Sequence, residues 1–196
     1  MYRAILDTCA LVPGRQRDFL LQLATEEAYA PLWGSGILFE LDYVLARLDE
    51  KRGRGDSEER RSRLLAQMRH AFPGATINAP KDRDYDYGLT DPDDGHVAHA
   101  AIIGKADAIV TDDTRAGFKM SATLTDAGVE ILYPHEFAAN TVAAHPEAGV
   151  RALQAMSRRM TRPALSKQEI LTDLRERYGM NEVAKILGPE LSRLAP

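Results

Sequence analysis

Short apolar runs alternate along the chain with longer stretches whose apolar residues recur every three or four positions. "YRAILD" has the texture of a buried strand ending at Asp7, and Phe19, Leu20, Leu23 and Ala24 then predict a helix over 18–27. "YAPLW" predicts a second strand. Ser35 follows as a cap for a long helix in which Ile37, Leu41, Val44, Leu45 and Leu48 share a face. "GRGD" at 53–56 breaks that helix, a charged helix runs over 57–71 and stops before Pro73, and "ATINA" reads as a weak strand. The polar stretch 81–90, with its scattered tyrosines, reads as loop. Residues 91–106 read as a helix, "DAIVT" as a strand, 123–127 as a short helix and "VEILY" as a last strand before Pro134 opens another helix. This alternation predicts an α/β fold with a mainly parallel central sheet covered on both faces.

From about residue 141 only helical patterns remain. Ser166 and Glu169 are spaced as a capping box, and Ile170, Leu171 and Leu174 form one stripe. Gly179 breaks the pattern before Val183, Ile186 and Leu187 resume it, which predicts a helical hairpin. The expected division is an α/β domain over 1–140 and an all-helical extension over 141–196. The hairpin reads as a packing element more readily than as a DNA-reading helix-turn-helix.

Composition narrows the class. The chain has 196 residues, 44% of them hydrophobic, enough for a compact core. No apolar stretch reaches the roughly 18 residues of a membrane span, and "YRAILD" after Met1 has no basic-then-apolar leader, so a cytoplasmic location is expected. The single cysteine, Cys9, excludes an internal disulfide and a multi-cysteine zinc site, and reads as a small buried hydrophobe. Trp33 reads as core. Net charge is −4: residues 146–196 hold nine Lys/Arg against six Asp/Glu, and the rest hold 16 against 23. That balance argues against indiscriminate polyanion binding. A mixed cluster remains at Arg47, Lys51, Arg52, Arg54, Arg60, Arg61 and Arg63, interrupted by Asp49, Glu50, Asp56, Glu58 and Glu59, and by itself it reads as a solvated helix surface.

The candidate chemistry lies in acids. Parallel α/β sheets place their sites at the carboxyl ends of strands. Asp7 follows "RAIL", and Asp112 and Asp113 follow "AIVT". Glu40 falls inside the core-facing stripe of the second long helix, and Asp94 heads the stripe of Val97, Ala98, Ala101 and Ile102. Register with Val97 and Ala101 selects Asp94 over Asp93. In "DPDD", Asp91 suits an N-cap, Pro92 a first helical position, and Asp93 and Asp94 the helix dipole. Capping accounts for those acids singly but not for their coincidence with Glu40 and two acid-tipped strands. Clustered carboxylates repel one another and are held most readily around a divalent cation, and an all-oxygen set suits Mg2+ or Mn2+. His96 and His99 flank that region or face solvent, with no third nitrogen or sulfur ligand to make a zinc site.

"AILDTCAL", the acid in the second long helix, "DPDDGHVAHAAI" and "DAIVTDD" followed by Phe118 together resemble the PIN-domain ribonucleases, in particular VapC-type toxins of toxin–antitoxin pairs. The resemblance spans roughly 2–138. It implies a PIN-like α/β/α sandwich and a site of Asp7, Glu40, Asp94 and Asp113, acting as catalytic residues and as ligands for Mg2+ or Mn2+. Thr111 matches a polar position of the last motif, and Asp113 stands where many relatives have Asn. Asp91, Asp93, Asp112 and Thr8 are accessory candidates. The resemblance further implies endonucleolytic hydrolysis of RNA leaving a 5′-phosphate and neutralisation by a cognate antitoxin. A homodimer is open. Arg15, Arg17, Arg47, Lys51 and Arg52 are candidates for RNA or partner contact, as are Ile37, Leu38, Phe39 and Tyr43 for the partner groove or RNA. Two alternatives stand beside this reading. One is a non-cleaving PIN-like module that binds RNA or a partner; the other is a metal-dependent phosphatase, disfavoured because Thr8 and Cys9 follow Asp7 where a "DxD" pair is usual.

Overall fold

A computed structural model describes residues 1–55 and 57–193; Asp56, named above among the acids and in the helix-breaking "GRGD", lies outside them. The chain clusters into two compact units, one of residues 2–12 with 31–131, the other of Met1, 13–30 and the chain from Leu132 onward.

The first unit holds the sheet. Strands β1 (Arg3–Leu6), β2 (Ala30–Gly34), β3 (Thr76–Ile77), β4 (Ala108–Val110) and β5 (Glu130–Leu132) lie in the order β3-β2-β1-β4-β5, all parallel, in an α/β/α fold. In β1 and β4 the apolar residues Ala4, Ile5, Leu6, Ala108, Ile109 and Val110 are all fully buried. A strand covered on both faces needs such a continuous run rather than an alternation. Register pairs Leu6 with Val110, and the next amide, Asp7 N, donates to Val110 O at 3.1 Å. Asp7 and Thr111 therefore leave the sheet side by side.

Short helix α1 (Thr8–Leu11) follows β1 directly, because the Asp7 carboxylate accepts from Thr8 N and caps it. Helix α2 (Gly14–Thr25) starts earlier than its apolar stripe suggested and belongs to the second unit. Helix α3 (Ser35–Lys51) is capped by Gly34, not by Ser35. The Ser35 hydroxyl instead accepts from Ala79 N at 3.1 Å, while Gly36 N donates to Ala79 O at 2.9 Å. A Cβ on Gly36 would lie 2.5 Å from His96 Cδ2 and 2.9 Å from Ala79 O. Only glycine lets the start of α3 come this close to the loop after β3.

Helix α4 (Ser57–Ala71) packs on α3, and α3 also packs on α5 (Gly95–Gly104). The expected single helix over 91–106 is divided: Pro92–Asp94 form a 3-10 turn capped by Asp91, whose carboxylate accepts from Asp93 N, and α5 begins only at Gly95. Thr90 N and Asp91 N both donate to Ala116 O, at 3.0 and 3.2 Å. Gly117, at φ 79°, sits against Thr90 where a Cβ would clash with the threonine side chain. These bonds tie the loop carrying the 91–94 acids to the loop after β4. A second 3-10 turn (Phe118–Met120) and helix α6 (Ala122–Asp126) precede β5.

The second unit joins α2 to four helices, α7 (Pro134–Ala144), α8 (Pro146–Arg159), α9 (Lys167–Tyr178) and α10 (Asn181–Arg193). Its core includes Phe19, Leu20, Leu23, Phe137, Leu153, Met156, Leu174, Val183 and Leu187, with the Tyr29 ring edge-on to Phe137 at 4.7 Å. The Ser166–Glu169 capping box and the left-handed Gly179 between α9 and α10 are both present. Ion pairs Arg15–Asp173, Arg151–Glu26 and Arg159–Asp18 link α2 to α8 and α9. Among the described residues, no helix is long and apolar enough to cross a membrane.

Candidate active site

Asp7 sits at the carboxyl end of β1, 6% exposed. Its Oδ1 accepts from Thr8 N at 2.6 Å, and its Oδ2 accepts from the Thr111 hydroxyl at 2.7 Å and from the Cys9 thiol at 3.3 Å. Burial raises the Asp7 pKa, those three donors oppose the rise, and nearby Glu40 adds to it. Cys9 is thus not merely a small hydrophobe. Its sulfur also accepts from Asp112 N at 3.0 Å, and burial beside Asp7 pushes the thiol up to about 12, so it remains a protonated donor.

Glu40 extends from α3 toward α1 and the loop after β3. Its Oε2 accepts from the Thr8 hydroxyl at 3.0 Å, its Oε1 forms an ion pair with Lys81, and His96 Nε2 stands 3.4 Å from Oε2. That His96 contact is not aligned as a hydrogen bond, and the buried Nε2 has no such partner among the described residues; the other ring nitrogen lies 2.9 Å from Asp93 O. Desolvation works to raise the Glu40 pKa, but His96 and Lys81 outweigh it and hold the carboxyl down at about 2. Lys81 is partly desolvated too, yet Glu40 raises its pKa, with Asp94 and Asp93 adding to the pull.

Asp94 is the N-cap residue of α5, but its side chain makes no capping bond. Burial, then the charges of Asp7, Asp113, Asp91 and Glu40, push its carboxyl up to about 6. Asp113 Oδ1 accepts from Arg115 N at 2.7 Å and Ala116 N at 3.2 Å, which turns the carboxylate back into its own loop. Asp113 N donates to Thr111 Oγ1 at 3.0 Å, so one hydroxyl ties the Asp113 loop to Asp7.

The structure therefore brings Asp7, Glu40, Asp94 and Asp113 into one electrostatic neighbourhood, with Thr8 and Thr111 bonded among them. Asp91, Asp93 and Asp112 are exposed. Asp91 still acts on Asp94, Asp93 accepts from His96 only through its backbone, and Asp112 reaches the network by its amide. Arg15 and Arg17 lie in the helical unit, Arg15 paired with Asp173 and Arg17 partly buried, where burial lowers its pKa against the pull of Asp18 and Tyr178. Lys81 was not singled out by sequence, and of the two places expected for His96, flanking the site or facing solvent, the structure gives the first, with the ring buried beside Glu40. Lys81 follows β3 at the same carboxyl end as the acids, which was the available signal; nothing in the sequence aimed His96 at Glu40. His99 lies apart, stacked on Tyr85 at 4.4 Å and 2.8 Å from the Tyr87 hydroxyl.

Residues 3–115, more than half of the chain and all four acids, match the family model of the PIN domain. The chain belongs to the PIN-domain family. Beyond this PIN domain, residues 134–189 match the model of the VapC50 C-terminal domain. Together the matches place the chain, at family level, among VapC-type ribonuclease toxins that carry a C-terminal extension. Comparison with curated proteins and with solved structures gave no match.

The donor set of the PIN domain fits a hard divalent cation in kind: four carboxylates, hydroxyls between them, and an Asp94 carboxyl crowded by four other acids. Among the described residues, no group of three or more His, Cys, Asp or Glu stands ready to hold a metal ion. Lys81 serves as the positive partner of Glu40 in this arrangement.

Proposed function

We propose that the protein is a divalent-metal-dependent endoribonuclease and the toxin of a VapBC-type pair, hydrolysing RNA phosphodiester bonds at Asp7, Glu40, Asp94 and Asp113. The observation that carries this reading is the meeting of acids at the carboxyl end of the sheet: Thr8 bonds both Asp7 and Glu40, the Thr111 hydroxyl bonds Asp7 and the Asp113 amide, and Asp94 stands in the field of all three carboxylates. Such a concentration of negative charge opposes folding unless a cation answers it. Mg2+ or Mn2+ held by Asp7 and Asp94, with Glu40 and Asp113 as further ligands or holders of bound water, would supply an activated water and neutralise charge on the attacked phosphate.

The chain's own residues do the positioning. Thr111 and Thr8 N fix the two oxygens of Asp7, and the protonated Cys9 adds a weak third donor. Thr8 and Lys81 fix the Glu40 carboxylate, which stays ionised through the physiological range. Lys81 and the exposed Arg115, which pairs with Asp113 at 3.9 Å, are cations that would meet phosphate oxygens of the substrate. Asp91, Asp93 and Asp112 are the accessory acids of this reading. A cognate antitoxin is the proposed protein partner, and the proposed place of action is the cytoplasm.

A second reading has one observation in its favour. The Lys81–Glu40 pair, which sets a cation against one of the four carboxylates, suits a PIN-like module that binds RNA or a partner without cutting. Incubation of the full chain with a mixed pool of single-stranded and structured RNA separates the two. The nuclease reading expects cleavage with Mg2+ or Mn2+, products bearing 5′-phosphate, and no cleavage in EDTA. RNA binding without cleavage at any divalent metal would establish the second.

A further inference from the structure

Helix α3 exposes Phe39 and Tyr43 at 69% and 56%, the two most exposed aromatic side chains among the described residues. A single exposed aromatic is ordinary on a protein surface, but these two are four residues apart on one face of a helix. Arg47 and Lys51 continue the same row at the same interval. The Arg47 guanidinium lies 5.7 Å from the Tyr43 ring centroid, and its Nη1 donates to the Tyr43 hydroxyl at 3.4 Å. Successive members of the row stand about 6 Å apart along the axis. Glu40 is the neighbour of Phe39, so the row begins at the acids.

Ion pairing sorts the nearby basic residues into two groups. Arg54 and Arg60 are paired with Asp49, Arg61 with Asp42, and Arg63 with Glu59. Arg47, Lys51 and Arg52 have no carboxylate partner among the described residues. Of these residues, the cations without a carboxylate partner are thus those on and beside the aromatic row. The row passes from two rings to two cations, and a polyanion carrying flat apolar faces matches both halves of it.

We propose that the α3 face of Phe39, Tyr43, Arg47 and Lys51 is a stacking platform for single-stranded RNA. Unpaired bases lie on the two rings, Arg47 and Lys51 meet the phosphates, and the strand is led along α3 to Glu40. Paired bases hide their faces in the stack, so the platform selects unpaired segments. The inference rests on the nuclease reading for its substrate and adds the residues of α3 that seat the strand.

Fluorescence anisotropy of the full chain in EDTA, with a labelled mixed-sequence single strand of about 15 nucleotides, tests it. The Phe39→Ala/Tyr43→Ala double variant is expected to bind at least about tenfold more weakly, and Phe39→Tyr with Tyr43→Phe to bind as the wild type does. Wild-type protein is expected to prefer the single strand over its duplex and over an abasic strand of equal charge, and Arg47→Gln to flatten the salt dependence. Equal binding by the double alanine variant, or equal affinity for the abasic strand, overturns the platform. So does a change in oligomeric state of that variant on size-exclusion chromatography with RNA affinity intact, which would assign the rings to a protein interface. Wild-type cleavage in Mg2+ is scored in parallel: cutting with ring-independent binding rejects the platform alone, whereas neither binding nor cutting rejects the nuclease reading with it.

Discussion

Asp94→Asn is expected to reduce RNA cleavage by at least about a hundredfold while making the metal-free protein more stable at neutral pH. The two effects have one cause. The folded-state pKa of Asp94 is raised from the ordinary carboxylate value to about 6. For a raised pKa, the group's favourable contribution to stability is present below the ordinary value and is lost as pH rises through about 6. Asparagine removes the repulsion with Asp7, Asp113, Asp91 and Glu40 and remains a compatible N-cap for α5. Because Asp94 is only partly buried, solvent screening trims the gain to about 1 kcal/mol, or a few degrees in Tm. Thermal scans in EDTA should show the variant above the wild type at pH 8 and the two converging near pH 4. Addition of Mg2+ should raise the wild-type Tm and leave the variant nearly unmoved. A variant that still cuts RNA at the wild-type rate would remove Asp94 from the chemistry.

Asp7 should separate chemistry from architecture. Both Asp7→Asn and Asp7→Ala are expected to abolish cleavage, but only the alanine variant should lose stability, by about 1–3 kcal/mol. Alanine leaves Thr8 N, the Thr111 hydroxyl and the Cys9 thiol without their acceptor in a nearly closed pocket. Asparagine keeps an oxygen for Thr8 N, and the Thr111 hydroxyl can rotate to accept from its amide. It also removes a buried charge whose pKa is raised. Paired Tm and cleavage measurements check this. Loss of cleavage in the alanine variant alone would make Asp7 a cap and not part of the reaction.

Much of the fold was legible because buried parallel strands write themselves as apolar runs. "RAIL" and "AIV" are such runs, and their acid-tipped ends pointed to Asp7 and the 112–113 pair. Helix α4 was bounded correctly because Ser57 and the approach to Pro73 punctuate it. The 91–94 stretch was harder. Proline at its start and an aspartate cap suit a 3-10 turn as well as a first helical turn, so local signals could not place the start of α5. Ser35 misled for a related reason: Gly34 supplies the cap backbone, and the hydroxyl is taken by the distant Ala79 amide.

Register with Val97 and Ala101 set Asp94 apart from Asp93, and the structure leaves Asp94 partly buried among carboxylates with Asp93 exposed. What the sequence hid arises from tertiary meetings. Lys81 reaches Glu40 from a loop with no periodicity, and His96 reaches it because Gly36 allows α3 and α5 to close together. Cys9 looked apolar because its partners, Asp7 and Thr111, come from two strands that meet only in the sheet.

Direct location of a metal is the most immediate test of the central claim that these acids form one cation site. Crystals of the full chain soaked in Mn2+ should show an anomalous peak contacted by carboxylate oxygens of Asp7 and Asp94, with Glu40 and Asp113 around it, and the peak should vanish in Asp94→Asn. No peak at saturating Mn2+, with Lys81 still paired to Glu40, would contradict the account.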